Sequence, residues 1–271
     1  MKSFNNKVVV ITGGSTGIGH ELVKAFAKVG ANIATCDIAS FEDTKKAISQ
    51  YDVQQYYEKV DMADKKAIKK FADNVLKKFG YIDILINNAG IALGDISFDK
   101  VSLEDFEKIT NINYWGVIYT TQLFYQSLIA RPESALVNLS SSQGILALPY
   151  LVPYCTTKFA VRGFTDALRI ENEVRGITNL SIHTVHPSRV ATNITLNADY
   201  KSNRTQRFHE NLQAGTSPKD AAKIIMKGIQ QKKDRIFIDD GELHDILARL
   251  MPTSNKYIIK QMMKLKNFSV D

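Results

Sequence analysis

Tyr154 and Lys158 stand four positions apart in the segment YCTTK and carry two groups that can move or stabilise a proton. Residues i and i+4 lie on one face of an α-helix, so both side chains can point into one site. A cation close to a phenol favours the phenolate and lowers its pKa by about 1–3 pH units. The tyrosine then becomes a usable acid and base nearer neutral pH. The same pair is also typical of a solvated helix face, so the rest of the sequence has to decide between the two.

A glycine-rich turn stands near the start of the chain, in VVVITGGSTGIGHELVKAFAKVG (8–30). A buried strand, a turn with Gly13, Gly14, Gly17 and Gly19, and a helix follow one another directly. Glycines allow positive φ and close backbone approach, and the N-terminus of a helix offers free N–H groups and a positive dipole end. This arrangement is typical of a pyrophosphate site, and a tight turn without a ligand is the alternative.

Short apolar segments alternate with longer segments of helical spacing up to about Val185. Runs this short and this apolar predict strands buried on both faces, and their alternation with helices predicts βαβ units. We expect one α/β domain over residues 1–271, a doubly wound parallel sheet with helices on both faces. The predicted strands are 7–11, 32–36, 82–86, 135–139 and 180–185, with a last one in RIFID (235–239).

The glycine spacing separates two kinds of dinucleotide site. TGGSTGIG (12–19) departs from the pattern G-x-G-x-x-G and resembles the cofactor motif TGxxxGxG of classical short-chain dehydrogenases/reductases. The resemblance implies a Rossmann-like fold that binds a nicotinamide cofactor. In this turn the implied cofactor contacts are Gly13, Ser15, Thr16, Gly17, Ile18 and Gly19.

Asp37 ends the second predicted strand, about 18 residues after Gly19. An acid at this place can bind the adenosine ribose hydroxyls and repel a 2′-phosphate, so it favours NAD(H) over NADP(H). Relatives that prefer NADP usually carry Arg or Lys in the turn or just after this strand, and this chain does not. A solvated strand-end aspartate is the alternative. NADP(H) use would require Asp37 to turn away and Arg204 or Arg207 to reach the phosphate.

Three further motifs extend the resemblance in the expected order along the chain. They are VDMAD (60–64), NNAG (87–90) and HPSRVATNI (186–194), where Ser188 replaces the usual glycine. Asn88 could be structural rather than ligand-binding. The cofactor contacts that these motifs imply are Asp61, Met62, Asn88, Ala89, Gly90, Pro187, Val190 and Thr192, joined by Tyr154 and Lys158.

The resemblance also completes a catalytic set around Tyr154. Ser141, in VNLSSSQG (137–144), lies thirteen residues before Tyr154, the separation found in family members, and would hold the substrate oxygen. Asn113, in NINYWG (111–116), precedes Gly116 by three and is the implied site asparagine, whose main chain would fix a water in a proton relay from Lys158. A buried asparagine that bends or caps a helix is the alternative.

The implied activity is an NAD(H)-dependent oxidoreductase that interconverts a secondary alcohol and a carbonyl. Its partner would be a small alcohol or ketone whose identity the motifs do not specify. A dinucleotide-binding sensor or scaffold without turnover is the alternative from another class, because fold alone does not exclude it. The intact set of Asn113, Ser141, Tyr154 and Lys158 weighs against that alternative.

Composition and charge argue against other classes of protein. The net charge of +7 comes from lysines scattered among acids and apolar residues, which does not indicate nucleic-acid binding. No apolar run approaches the roughly 18 residues needed to cross a bilayer, and the start does not resemble a signal peptide. The five histidines and the distant Cys36 and Cys155 show no metal-ligand spacing, so no metal is implied and both thiols are expected to be reduced. We expect a cytoplasmic protein.

The last third of the chain is expected to determine the substrate and to help the chain assemble. Residues 190–217 are polar and predict a long loop that acts as a substrate flap, and about 240–271 is a variable C-terminal region. The basic amphipathic segment 255–268 would cover the pocket or a neighbouring subunit, with membrane contact as the alternative. Helices predicted over 111–130 and around Tyr154 carry apolar residues on more than one side, which predicts a homodimer or homotetramer.

Overall fold

A computed structural model describes residues 1–200 and 202–265. Seven parallel strands form one sheet in the order β3-β2-β1-β4-β5-β6-β7. The strands are β1 (Val8–Thr12), β2 (Asn32–Asp37), β3 (Gln55–Lys59), β4 (Ile84–Asn87), β5 (Ser134–Leu139), β6 (Leu180–Pro187) and β7 (Arg235–Ile238). The order reverses between β1 and β4, so a crevice opens at the carboxyl ends of these two strands, where ligands bind in sheets of this kind.

Helices cover both faces of the sheet. They are α1 (Gly17–Lys28), α2 (Glu42–Ile48), α3 (Lys65–Phe79), α4 (Leu103–Thr110), α5 (Gly116–Ile129), α6 (Val152–Val174), α7 (Asn203–Gln213), α8 (Pro218–Gln230), α9 (Gly241–Leu250) and α10 (Asn255–Leu265). In β1, Val9 and Ile11 join the apolar cluster under α1 and α8, whereas Val8 and Val10 join the one under α3 and α5. Because strand side chains alternate between faces, a wholly apolar strand supplies both cores. The predicted doubly wound α/β fold is confirmed.

Strand β3 differs from the strands that the apolar runs predict. It reads QYYEK and is only partly buried, because it lies at the edge of the sheet. Edge position removes the requirement for continuous apolar residues. The other strands agree with the predicted runs to within one or two residues at their ends.

A helix begins earlier than the sequence predicts and contains an irregular segment. Helix α4 starts at Leu103, after Ser102 caps it by accepting a hydrogen bond from the Asp105 N–H. The chain then continues through a π-helical stretch, Asn111–Trp115, directly into α5. Asn113 therefore lies in the middle of one long irregular helix.

The predicted flap contains regular structure. Residues 203–213 form α7, capped by the Ser202 hydroxyl, where the sequence predicted a long loop. That prediction was wrong because α7 is strongly polar and buries few side chains, and so lacks the apolar stripe by which a helix is recognised. Ser217 caps α8 and Pro218 occupies its first turn, as predicted.

The C-terminal region is helical as far as it is described. It forms α9 and α10, while residues 266–271, which belong to the predicted amphipathic segment, lie outside the described residues. Along the described chain, no helix is both long enough and apolar enough to cross a bilayer.

Candidate active site

The glycine turn forms a cradle without room for side chains. Gly13 and Gly17 have φ of +71° and +55°, a region that residues with a Cβ rarely adopt. A Cβ on Gly19 would lie 1.9 Å from the Gly13 carbonyl oxygen, so no other residue fits there. Thr16 is exposed just before α1, and Ile18 packs partly against the core. The bare backbone at the start of α1 suits a pyrophosphate group.

The end of β4 braces this turn. The Asn88 amide donates to the carbonyls of Thr12 and Gly13, each at 3.0 Å. The Thr12 hydroxyl accepts from the main-chain N–H groups of Asn88 and Ala89, at 3.1 and 3.0 Å. These bonds give Asn88 a structural role, and its contact with a cofactor stays a prediction.

Asp37 turns its carboxylate toward the glycine turn. One of its oxygens accepts from the Ser15 N–H at 3.0 Å and from the Ser15 hydroxyl at 2.5 Å. The other accepts from the Ala39 N–H at 3.2 Å. The carboxylate is therefore fixed beside the place where the resemblance puts the adenosine ribose.

Asp61 and Met62 lie at the next strand end. Asp61 is exposed and accepts a hydrogen bond from the Ala63 N–H at 2.8 Å. Met62 is buried, with its sulfur 4.0 Å from that of Cys36 and its main chain against Gly116 of α5. Their predicted contacts with an adenine ring stay predictions.

The segment after β6 reaches back over the glycine turn. Val190 is buried and pairs with Thr216 in a short parallel bridge, and the methyl group of Thr192 would lie 3.3 Å from a Cβ placed on Gly17. Ser188, which replaces the family's glycine, is not among the described residues with positive φ. Serine therefore fits this backbone without strain. The contacts of Pro187, Val190 and Thr192 with a cofactor stay predictions.

Ser141, Tyr154 and Lys158 come together where β5 ends and α6 begins. The Ser141 hydroxyl lies near the Tyr154 phenol and favours its ionised form. Lys158 is buried, its Nζ donates to the Leu139 carbonyl at 2.9 Å, and the same atom lies 5.6 Å from the centroid of the Tyr154 ring. Helix α6 thus holds the phenol and the ammonium on one face, which excludes the alternative of a solvated helix face for this pair.

Burial controls the proton affinities of both groups. It raises the pKa of Tyr154 to about 12, against the opposing effect of the nearby Ser141 hydroxyl. It also lowers the pKa of Lys158 to about 8. Both shifts have one cause, since a poorly solvated site penalises each charged form. The prediction of a Tyr154 pKa below its ordinary value is contradicted, because burial outweighs the other influences on the phenol.

Asn113 connects this set to the end of β4. Its side chain accepts from the Ile91 N–H at 2.8 Å, donates to the Ile91 carbonyl at 3.0 Å and contacts the Thr157 hydroxyl at 3.3 Å. A Cβ on Gly90 would lie 3.2 Å from the Asn113 Oδ1 and 3.5 Å from the Lys158 Nζ. The predicted catalytic set and the predicted cofactor motif therefore meet at Gly90.

Two features of the site were not predicted from sequence. Gln143 accepts the Ser141 hydroxyl proton at 2.5 Å. Behind the site, the Asn87 amide bonds to Asn138 at 2.8 Å and accepts from Thr120 at 2.6 Å, which ties β4, β5 and α5 together. Polar residues inside otherwise apolar strands are the one sequence signal that could have indicated this network.

The flap rests against the rim of the site. Lys108 pairs with Asp199 at 2.8 Å, and the Tyr200 hydroxyl donates to Asp105. The Arg204 guanidinium lies 3.9 Å from the centroid of the Tyr150 ring, four residues before Tyr154. Arg204 is thus engaged with the segment that leads into α6.

Side chains that could ligate a metal ion are dispersed over the described part of the chain. Within residues 1–200 and 202–265, no three His, Cys, Asp or Glu side chains come together in a group that could bind a metal ion.

The parallel sheet, the glycine cradle and the Ser141, Tyr154 and Lys158 cluster together define a short-chain dehydrogenase. The family model described as short chain dehydrogenase matches residues 7–203. The chain therefore belongs to this family of oxidoreductases.

Individual relatives and solved structures are similar to this chain over most of its length. The putative oxidoreductase SadH of Mycobacterium tuberculosis is 33% identical over 266 residues, covering 96% of each chain. A crystal structure of a short-chain dehydrogenase from Burkholderia phymatum in complex with NAD has a TM-score of 0.85 at 21% identity and covers 95% of this chain and 96% of its own. An alcohol dehydrogenase from Thermococcus sibiricus complexed with 5-hydroxy-NADP has a TM-score of 0.74 at 23% identity, covering 86% and 96%.

Proposed function

We propose that this protein is an NAD(H)-dependent dehydrogenase/reductase that interconverts a secondary alcohol and a ketone. The observation that carries the proposal is the buried Lys158, whose Nζ lies 5.6 Å from the centroid of the Tyr154 ring, with Ser141 beside the same phenol. Two hydroxyl groups on one side of a site can both donate to one substrate oxygen. A binding-only protein has no use for a buried ammonium next to a phenol, because burial of a charge is costly.

Each residue of the set has a distinct part. The nicotinamide cofactor, when bound, supplies or takes the hydride. Ser141 holds the substrate oxygen, and Tyr154 gives a proton to that oxygen during reduction or removes it during oxidation. Lys158, when protonated, stabilises the phenolate that forms on Tyr154. Asn113 keeps the 90–91 backbone beside Lys158 through its two bonds to Ile91.

The acid and base can be tested by removing one oxygen atom. Tyr154→Phe should reduce turnover to below a few per cent of wild type, while the Kd for NADH changes little, because the ring and its packing remain. Tyr57→Phe, on the distant strand β3, serves as a control for loss of a tyrosine hydroxyl. Turnover that survives in Tyr154→Phe would contradict the assignment. A wild-type protein that binds NADH and turns over no alcohol or ketone would instead be a sensor.

The preference for NAD(H) is supported by Asp37. Its carboxylate, held by Ser15, would accept hydrogen bonds from ribose hydroxyls and repel a 2′-phosphate. Arg204 stacks on Tyr150 and so is engaged elsewhere. We expect NADH to bind at least tenfold more tightly than NADPH, a difference of roughly 1.4 kcal/mol in binding free energy. In Asp37→Asn the Kd values of the two cofactors should lie closer together. Equal Kd values for the two cofactors in the wild type would overturn this preference.

The 190–217 flap would close over a small alcohol or ketone, and α5 and α6 would form the interface of a homodimer or homotetramer. Exposed apolar residues support the second part: Trp115 is 41%, Phe159 is 40% and Ile170 is 60% exposed. Apolar area in excess of one stripe indicates a second contact. Light scattering at micromolar concentration should give a multiple of 30.4 kDa, and a particle of one chain mass would contradict assembly.

A further inference from the structure

Gln143 holds the proton of the proposed catalytic serine. It lies in a short 3₁₀ turn, Ser142–Gly144, directly after Ser141. Its side-chain Oε1 accepts from the Ser141 hydroxyl at 2.5 Å, and its main-chain N–H donates to the same hydroxyl oxygen at 3.2 Å. The next acceptor for that proton, the Pro187 carbonyl, is 3.3 Å away.

The Ser141 hydroxyl is engaged both as a donor and as an acceptor in this arrangement. A serine hydroxyl has one proton and two lone pairs. The proton goes to the Gln143 Oε1, while the Gln143 main-chain N–H donates to one lone pair. With the carboxamide reversed, the Gln143 Nε2 would be a second donor to the same oxygen, and the Ser141 proton would keep only the longer contact with the Pro187 carbonyl. The amide oxygen is therefore the atom that faces Ser141.

A substrate carbonyl has to compete with Gln143. Under the proposed function, Ser141 and Tyr154 both donate to the substrate oxygen, so the Ser141 proton must leave the Gln143 Oε1. The Gln143 Nε2 has no hydrogen-bond partner among the described residues, and it is not one of their buried unpartnered atoms. Its two N–H donors are thus accessible beside the position that the substrate oxygen takes.

We propose that Gln143 is a specificity-determining residue that selects substrates with a second oxygen on the carbon next to the reacting carbon. The reacting oxygen replaces the Gln143 Oε1 at the Ser141 hydroxyl, and the neighbouring oxygen accepts from the Nε2 of the same carboxamide. The class comprises 1,2-diketones, α-hydroxy ketones and the corresponding alcohols. The inference rests on the proposed function and adds to it the substrate class.

The test compares two ketones that differ by one oxygen, 2,3-butanedione and 2-butanone, with NADH as reductant. The measured quantity is the ratio of their kcat/KM values in wild type, Gln143→Leu and Gln143→Glu. The greater intrinsic reactivity of the dione is common to all three proteins and cancels when their ratios are compared. Gln50→Leu, at an exposed glutamine just after α2, is the matched control.

Gln143→Leu should lower the ratio at least tenfold, mainly through a higher KM for the dione. Its kcat/KM for butanone should rise, because the Ser141 proton is no longer held by the Gln143 Oε1. Gln143→Glu should lose the dione preference as well, because it has no N–H donor. It should also reduce butanone turnover, because a carboxylate holds the serine proton more strongly than an amide does.

Two results would overturn this inference and leave the proposed function standing. One is an equal fall for both ketones in Gln143→Leu, which would reduce Gln143 to a support for Ser141. The other is an unchanged ratio in both variants. NADH Kd values and thermal midpoints close to wild type would show that each variant is folded. If the wild type reduces neither ketone, or Tyr154→Phe reduces them as well as the wild type does, the proposed function fails and the inference fails with it.

Discussion

The glycine turn and the flap are held in different ways. The turn is held by backbone atoms so close together that a Cβ on Gly19 would lie 1.9 Å from a carbonyl oxygen. The middle of the flap is held by a backbone bond from the Tyr200 N–H to the Leu93 carbonyl at 2.8 Å. Surface side chains add to it, such as Lys108 with Asp199, which are 47% and 42% exposed, and exposed ion pairs contribute about 0–1 kcal/mol each. We therefore expect the glycine turn to be rigid and the flap to open at a lower cost.

This contrast should be most evident when one atom is added at the glycine turn. Gly19→Ala should weaken NADH binding by roughly 100-fold or more, because the methyl group must displace the Gly13 carbonyl that shapes the cradle. Gly80→Ala at the end of α3, where a Cβ meets nothing within 4 Å, is the matched control. Its positive φ of +77° should make the variant about 1–2 kcal/mol less stable without weakening NADH binding. Calorimetric NADH titration of both variants is the measurement, and wild-type affinity in Gly19→Ala would contradict the rigid cradle.

A smaller effect is expected at Lys158, because the burial of its charge lowers the stability of the folded protein. Burial lowers its pKa from an ordinary 10.5 to about 8. Between these values the unfolded chain binds more protons than the folded one, so wild-type stability should rise with pH from about 8 to 10.5. Lys158→Met should abolish turnover yet raise the free energy of unfolding at pH 7 by roughly 1–3 kcal/mol.

Urea unfolding at several pH values checks this expectation. The advantage of Lys158→Met should be complete below about pH 8 and should shrink as the pH rises to 10.5, with Lys24→Met as an exposed control. A wild-type stability that does not change across this pH range would show that the charge is not penalised. The catalytic side would then be no more strained than the flap.

The smallest and most local effect is expected at the flap. Tyr200→Phe removes the hydroxyl that donates to Asp105. Limited trypsin digestion should cut at Arg204 or Arg207 a few-fold faster, while the thermal midpoint should stay within about 1 °C, because the lost bond is local to the flap. Tyr51→Phe, outside this contact, is the control. Equal digestion rates would mean that the flap is held by more than its surface contacts.

The contrast between the glycine turn and the flap also explains which features of the protein could be predicted from its sequence. Positive φ at Gly13 and Gly17 is a local requirement of the backbone, so the residue type itself indicates the turn. Strands β1, β4 and β5 were predicted because burial on both faces demands continuous apolar residues. The spacing of Tyr154 and Lys158 predicted that they share one helix face, and the resemblance was needed to predict that this face lines a site.

Contacts between side chains distant in sequence could not be predicted. The flap was predicted as a loop because the sequence of α7 has no apolar stripe, and its docking depends on partners about a hundred residues away, such as Asp105 for Tyr200. The pKa of Tyr154 was misjudged because the spacing of a pair carries no information about burial. Gln143 was missed because only its side-chain orientation distinguishes it from any glutamine at a strand end.

The side chains before and after the π-helical stretch Asn111–Trp115 follow the helical repeat in two different registers. A wider turn contains more residues than the 3.6 of an α-helix, which is the geometric equivalent of one residue inserted into a regular helix. Deleting one residue upstream, between Leu103 and Asn111, would restore a regular helix and swing Asn113 by about 100° away from Ile91. The extra residue changes the direction in which the following side chains point. The helix can therefore bury its apolar residues and still direct Asn113 toward Ile91, and no single substitution would have the same effect.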